Sequence, residues 1–237
     1  MRIRARSGVL TGSRGLLPVA AALVPVLALT AACGSSKKPL TPAQQITKSL
    51  LTSKDVPHVA MSPSTATTQL LGGAQRASRP DCQPLADQWS SKPSRYTPLV
   101  YTGGVLTDTA AKDKNAKTIS LEAIALYKPG QAKSVLDALA AALRTCHGYS
   151  TTRGGATSTF TVTPGSASGP RLGDQQVVYT VRDPKLGASG TVLVTVVRAG
   201  DATAAYETVR ADHKAAALRP AIALKQTAKL RAEQKAG

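Results

Sequence analysis

Two runs decide the fold: Gln176-Val177-Val178-Tyr179-Thr180-Val181-Arg182-Asp183 and Thr191-Val192-Leu193-Val194-Thr195-Val196-Val197-Arg198. Both are rich in Val and Thr, which strands prefer because branched side chains pack well on a pleated surface. Between them, Asp183-Pro184-Lys185-Leu186-Gly187 reads as a turn, and Ala199-Gly200-Asp201 reads as a second turn after them. Thr203–Val209 follows that turn and is ambiguous. Its alanines suit a helix, and the hairpin-like turn before it suits a strand, the reading preferred here.

Upstream, Tyr149–Thr152 and Thr157–Thr163 extend the strand series. Before them lies the clearest helix of the chain, Gln131–Arg144. Ala132, Val135, Leu136, Leu139, Ala142 and Leu143 recur at the helical period there, and Gly148 follows as a stop. Leu99–Leu106 and Thr118–Tyr127 are expected strands. In the second, Ile119, Leu121, Ala123, Ala125 and Tyr127 share one face, with Ile124 and Leu126 on the other, so it should be covered on both sides.

Towards the N-terminus, Thr41-Pro42-Ala43 opens a helix as a cap followed by proline. Residues 58–80, rich in Ser, Thr, Pro and Gly, are expected to be irregular. Asp81–Ala86 starts a short helix carrying Trp89, and a basic helix, Ala221–Ala232, closes the chain. The order of elements implies an α+β fold: an antiparallel sheet with helices packed on it. The long helix should lie on the strands around Ile119–Tyr127 and Val192–Val196.

The first 32 residues read as an address. Arg2, Arg4, Arg6 and Arg14 precede an apolar run, Gly15–Leu29, too short for a comfortable membrane span and of the size of a signal-peptide core. The run ends in Leu29-Thr30-Ala31-Ala32-Cys33-Gly34, which resembles a bacterial lipobox, with Thr30 where leucine is commoner. The resemblance implies cleavage before Cys33 and acylation (palmitate or a similar chain) of its sulfur, and so a lipid-anchored protein on the extracytoplasmic face of the cell membrane. The plain alternative is secretion with Cys33 a free thiol. The domain plan is therefore a signal peptide over residues 1–32, a lipidated Cys and tether over 33–40, and a globular domain over 41–237.

With Cys33 set aside, Cys82 and Cys146 remain. An even pair in an oxidising compartment is expected to bridge, the alternative being two buried thiols. Composition excludes much else. Residues 33–237 hold 26 bases against 13 acids, yet the whole chain has one Phe, one Trp and six Tyr, too few aromatics for stacking on nucleic acid. His58, His147 and His213 are isolated, and no metal or other cofactor site is expected. No G-x-S-x-G elbow or phosphate loop occurs, so no enzyme class is indicated. Asp81, Asp174 and Asp201 sit beside Cys or Gly and suit turn chemistry. Trp89 and Tyr96 are expected in the core, with the edge of a ligand cleft as the alternative. The bases of the closing helix, Lys225, Lys229, Arg231 and Lys235, are expected to form a solvated face. Attraction to anionic lipid or cell-wall polymer is the other reading.

Several motifs carry a family resemblance. Leu50-Leu51-Thr52-Ser53-Lys54-Asp55-Val56-Pro57, Asp81-Cys82, the helix ending at Cys146, Leu172-Gly173-Asp174, Val197–Asp201 and Gln226-Thr227-Ala228-Lys229-Leu230 occur in that order. Together they resemble actinobacterial sensor-domain lipoproteins, which are similar to the extracellular domain of the receptor kinase PknH. The resemblance spans about residues 41–231 and implies an antiparallel sheet flanked by helices with a cleft for a ligand. This chain departs from it by holding one cysteine pair where the kinase domain has two. No ligand-contact residue carries over. The function expected is a membrane-anchored, non-catalytic binding or sensor domain. Its alternatives are a structural or accessory lipoprotein that binds another protein, or an envelope enzyme. A pocket with convergent polar groups favours binding or catalysis, and a flat apolar patch favours an accessory role.

Overall fold

The computed structural model describes residues 40–64, 71–153, 155–166 and 169–236, so Cys33 and the expected leader lie outside the described residues. The two Val-Thr runs are strands β6 (Gln175–Arg182) and β7 (Thr191–Ala199) of the series. They pair antiparallel, with Tyr179 opposite Val194 and Val177 opposite Val196. Gly200 takes the left-handed conformation, φ 59°, that a tight turn asks of glycine. The chain then returns as β8 (Ala202–Arg210), so the ambiguous Thr203–Val209 is a strand. Alanine suits it because both faces are buried: Ala204 faces one helical layer and Ala205 the other.

The remaining strands are β1 (Val59–Pro63), β2 (Val100–Asp108), β3 (Thr118–Leu126), β4 (Gly148–Arg153) and β5 (Ala156–Pro164). They complete one antiparallel sheet in the order β1-β2-β3-β8-β7-β6-β5-β4. β1 corrects the expectation that residues 58–80 are irregular. Five residues are too few for a visible alternation, but Met61 pairs with Leu106, and the edge position tolerates Pro63.

Helices cover both faces. On one lie α1 (Pro42–Ser49) and α4 (Pro220–Ala236), which bury Ile46, Ile222 and Leu230 against Ile124, Ala204 and Val197. The predicted cap of α1 is present as a capping box, with Thr41 and Gln44 each satisfying the other's backbone N–H. On the opposite face lie α2 (Gln83–Asp87) and α3 (Gln131–Ala142). α3 buries Leu136 and Leu139 against Tyr179, Val194 and Val196. It thus packs on β6 and β7, whereas the sequence reading also placed it over β3. This displacement leaves part of β2 and β3 free of helix on that face. Trp89 lies just beyond α2 rather than within it. Residues 38–237 form one compact unit that contains the described sheet, both helical layers and the disulfide.

The motif residues are clamps. In the Leu50–Pro57 turn, the Asp55 carboxylate accepts from the Thr52 N–H at 2.7 Å and from the Lys229 ammonium at 2.8 Å. Lys225 lies 3.5 Å from the same carboxylate. Burial alone would raise the Asp55 pKa, but Lys229 and Thr52 outweigh it and hold the carboxyl well below the usual range. Asp174 accepts from the Gly200 N–H at 2.7 Å and pairs with Arg231 at 2.6 Å. Asp201 accepts from the Gly130 N–H. Three of the four bases expected on a solvated face therefore tie α4 to the rest of the fold, because acids in two turns meet them.

A carboxyl in the same layer has no such partner. Glu122 is fully buried opposite Tyr206, and neither of its oxygens is hydrogen-bonded among the described residues. Burial pushes its pKa up to about 7, against a smaller pull from Tyr206 and Lys229. An unfolded glutamate titrates near 4.5. Between those values the folded chain holds a proton that the unfolded chain lacks, so stability falls as pH rises from about 4.5 to about 7 and then levels. Glu122→Gln keeps the shape and cannot ionise. We expect it to match wild type at pH 4 and to exceed it by roughly 3 kcal/mol at pH 8, at 1.4 kcal/mol per tenfold. Urea midpoints at the two pH values check this. A constant offset between variant and wild type would contradict it.

Candidate functional site

The uncovered part of the sheet becomes the floor of a cavity of about 420 Å³. Ala123 and Ala125 of β3 and Tyr101 of β2 form that floor. Tyr101 and Ala125 are register partners, so they sit side by side. Val135 and Ala138 of α3 close one wall, and Pro84 of α2 with Pro93 and Pro98 contributes further apolar surface. Small residues on the strands create the space. The offset of α3 towards β6 and β7 keeps it open.

The roof is a chain segment with little regular structure, fixed by polar side chains. Cys82 and Cys146 are bonded, with Cα atoms 5.2 Å apart, which ties the start of α2 to the end of α3. The Gln83 amide donates to the Gln75 carbonyl at 3.0 Å and to Asp87 at 2.7 Å, while its own oxygen accepts from the Ala77 N–H at 3.0 Å. Asp87 in turn accepts from the Ser94 N–H and hydroxyl, at 2.9 and 2.6 Å. The buried Ser90 hydroxyl accepts from the Gln75 and Lys92 N–H groups, at 3.1 Å each. Residues 75–77, α2 and Ser94 are thereby held together without a core of their own. Such a network specifies one arrangement because each partner lost leaves another unsatisfied.

Tyr96 lines the cavity with a positive φ of 49°, a conformation that bulky residues rarely adopt. Strain of this kind clusters at binding sites, where surrounding contacts maintain it. The expectation of Tyr96 in the core is thus corrected. Trp89 does pack into the core, alongside Leu71 and Ala123. Tyr127 is buried in the cavity wall, and burial pushes its phenol up to about 12, so it remains a neutral donor in any physiological medium. Arg76 and Arg95 also line the cavity.

The histidines and aspartates singled out from the sequence lie elsewhere. Among the described residues, no group of three or more His, Cys, Asp or Glu could hold a metal. His58 and His213 occupy left-handed turn positions, and His147 is exposed. Asp81 pairs with Arg79 at 2.7 Å beside the disulfide. The two carboxyls with a raised pKa, Glu122 and Glu207, are not in the cavity lining. Burial accounts for both shifts. The resemblance implied a cleft, but of its lining sequence reasoning offered only Tyr96, and that as an alternative, because the lining comes from five separate stretches. Three of the six tyrosines meet there, a convergence that no spacing announces.

Residues 40–218 match the profile of a family described as the PknH-like extracellular domain. Among solved structures, the extracellular domain of PknH from Mycobacterium tuberculosis has the same fold, with a TM-score of 0.52. That likeness carries 12% sequence identity and covers 84% of this chain and 98% of that one. No curated protein matches the chain.

Proposed function

Because the chain belongs to the PknH-like extracellular domain family, we propose that it is a non-catalytic binding or sensor domain held by lipid at the outer face of the cell membrane. The cavity carries this reading. A concave apolar floor with a few convergent polar groups is the usual form of a small-molecule site. The raised carboxyls lie outside it, which favours binding over acid–base chemistry. Anchoring rests on the leader and on Cys33. No described helix is long and apolar enough to cross a membrane. The excess of bases adds a general attraction to anionic headgroups or cell-wall polymer.

Two experiments test the two halves. Cys33→Ala is expected to abolish lipid labelling and release the protein from the membrane fraction. Unchanged labelling and fractionation would end the lipoprotein reading. For the cavity, Ala125→Phe places a ring in the space above β3. Mass spectrometry of small molecules that co-purify with residues 38–237 should find a species with wild type that the variant lacks. Identical retained molecules in both would place binding elsewhere.

A further inference from the structure

We infer that the cavity takes an anionic ligand, one with an apolar body and an acidic head such as a carboxylate, phosphate or sulfonate, held at Arg76 and Arg95. The inference rests on the cavity reading above and adds the charge of the occupant.

The arginines of this fold are mostly spoken for. Arg79, Arg198, Arg210, Arg219 and Arg231 each pair with an aspartate, and Arg171 donates to the Gly173 carbonyl. Of the side chains described, Arg76, Arg95, Arg144 and Arg182 make no ion pair or hydrogen bond. Two of these four line this cavity, and they reach it from separate segments. Asp87, the sole acid among the described lining residues, pairs with neither of them and offsets only one of the two charges. One of its oxygens accepts from Gln83 and the Ser94 N–H, the other from the Ser94 hydroxyl. The cavity therefore presents two exposed, unpaired guanidinium groups and three tyrosines around an apolar floor, with its one carboxylate held by neutral donors. Guanidinium groups match carboxylate and phosphate oxygens in geometry and charge. Low-dielectric walls focus the field of such groups on the cleft.

Two fluorescent probes separate charge from shape. 8-Anilinonaphthalene-1-sulfonate carries an acidic head. N-Phenyl-1-naphthylamine has the same ring body without it. With residues 38–237, the sulfonate is expected to bind about tenfold tighter at low salt, an advantage that shrinks as salt rises. Arg76→Ala and Arg95→Ala should each weaken the sulfonate about three- to tenfold and leave the neutral probe unchanged. Arg182→Ala, remote from the cavity, should change neither, and Ala125→Phe should remove both. Equal binding of the two probes by wild type would overturn the charge inference while leaving the cavity reading in place. So would a sulfonate advantage that survives both arginine variants. Binding of neither probe would overturn the cavity reading and this inference together.

Discussion

Leu139→Asp is expected to prevent folding at ambient temperature. Leu139 is 1% exposed and packs with Leu136, Tyr179 and Val194 where α3 meets the sheet. An aspartate there meets no base among its core neighbours, so it must stay protonated or open the layer. Removing one buried leucine costs about 2–5 kcal/mol, and an unpaired buried carboxyl adds several more. The total rivals the whole stability of an ordinary domain, about 5–15 kcal/mol. Lys133→Ala on the exposed face loses only an i,i+4 pair with Asp137 at 2.7 Å. It should shift stability by less than about 0.5 kcal/mol. Thermal melts decide between them. Similar small shifts for both would place the apolar face of α3 elsewhere.

Replacing Cys82 and Cys146 together with serine is the second large effect. The bond closes a separation of 64 residues. In the chain-entropy account its loss costs about 4 kcal/mol. Both cysteines are fully buried among Leu85, Leu136, Leu139 and Tyr149, so serine hydroxyls add a polar penalty. The bond also fixes α2, which carries the cavity roof. We therefore expect the double variant to lose stability by about that amount and to lose probe binding before it unfolds. Peptide mapping without reductant checks the pairing. Recovery of two alkylatable thiols from folded, secreted protein would contradict it.

Much of this architecture was legible from local chemistry. β6 and β7 announce themselves by branched residues, α3 by its apolar stripe, and α1 by Thr41-Pro42. The opposite placements of Ile124 and Ala123 follow from the two-residue period of a strand. Illegible were the features set by packing between distant segments. β1 becomes a strand because β2 offers it an edge. α3 slides towards β6 and β7, which frees Ala123 and Ala125 to form a floor. The family motifs misdirect a search for the site in an instructive way. Asp55, Asp174 and Asp201 hold turns and the closing helix, and of those motifs the helix ending at Cys146 contributes Val135 and Ala138 to the cavity wall. Its roof depends on Gln83, Asp87, Ser90 and Ser94, whose spacing has no helical or strand period.

The account stands most directly on the place where a ligand sits. Methyl NMR of residues 38–237, titrated with N-phenyl-1-naphthylamine, reads that place without any variant. The alanine methyls of Ala77, Ala123, Ala125 and Ala138 line the cavity, whereas Ala204 and Ala223 lie in the other helical layer. The expected result is a saturable movement of the first four resonances with the last two unmoved. Movement centred on Ala204 and Ala223, or no saturable movement at all, would contradict the assignment of the cavity as the binding site.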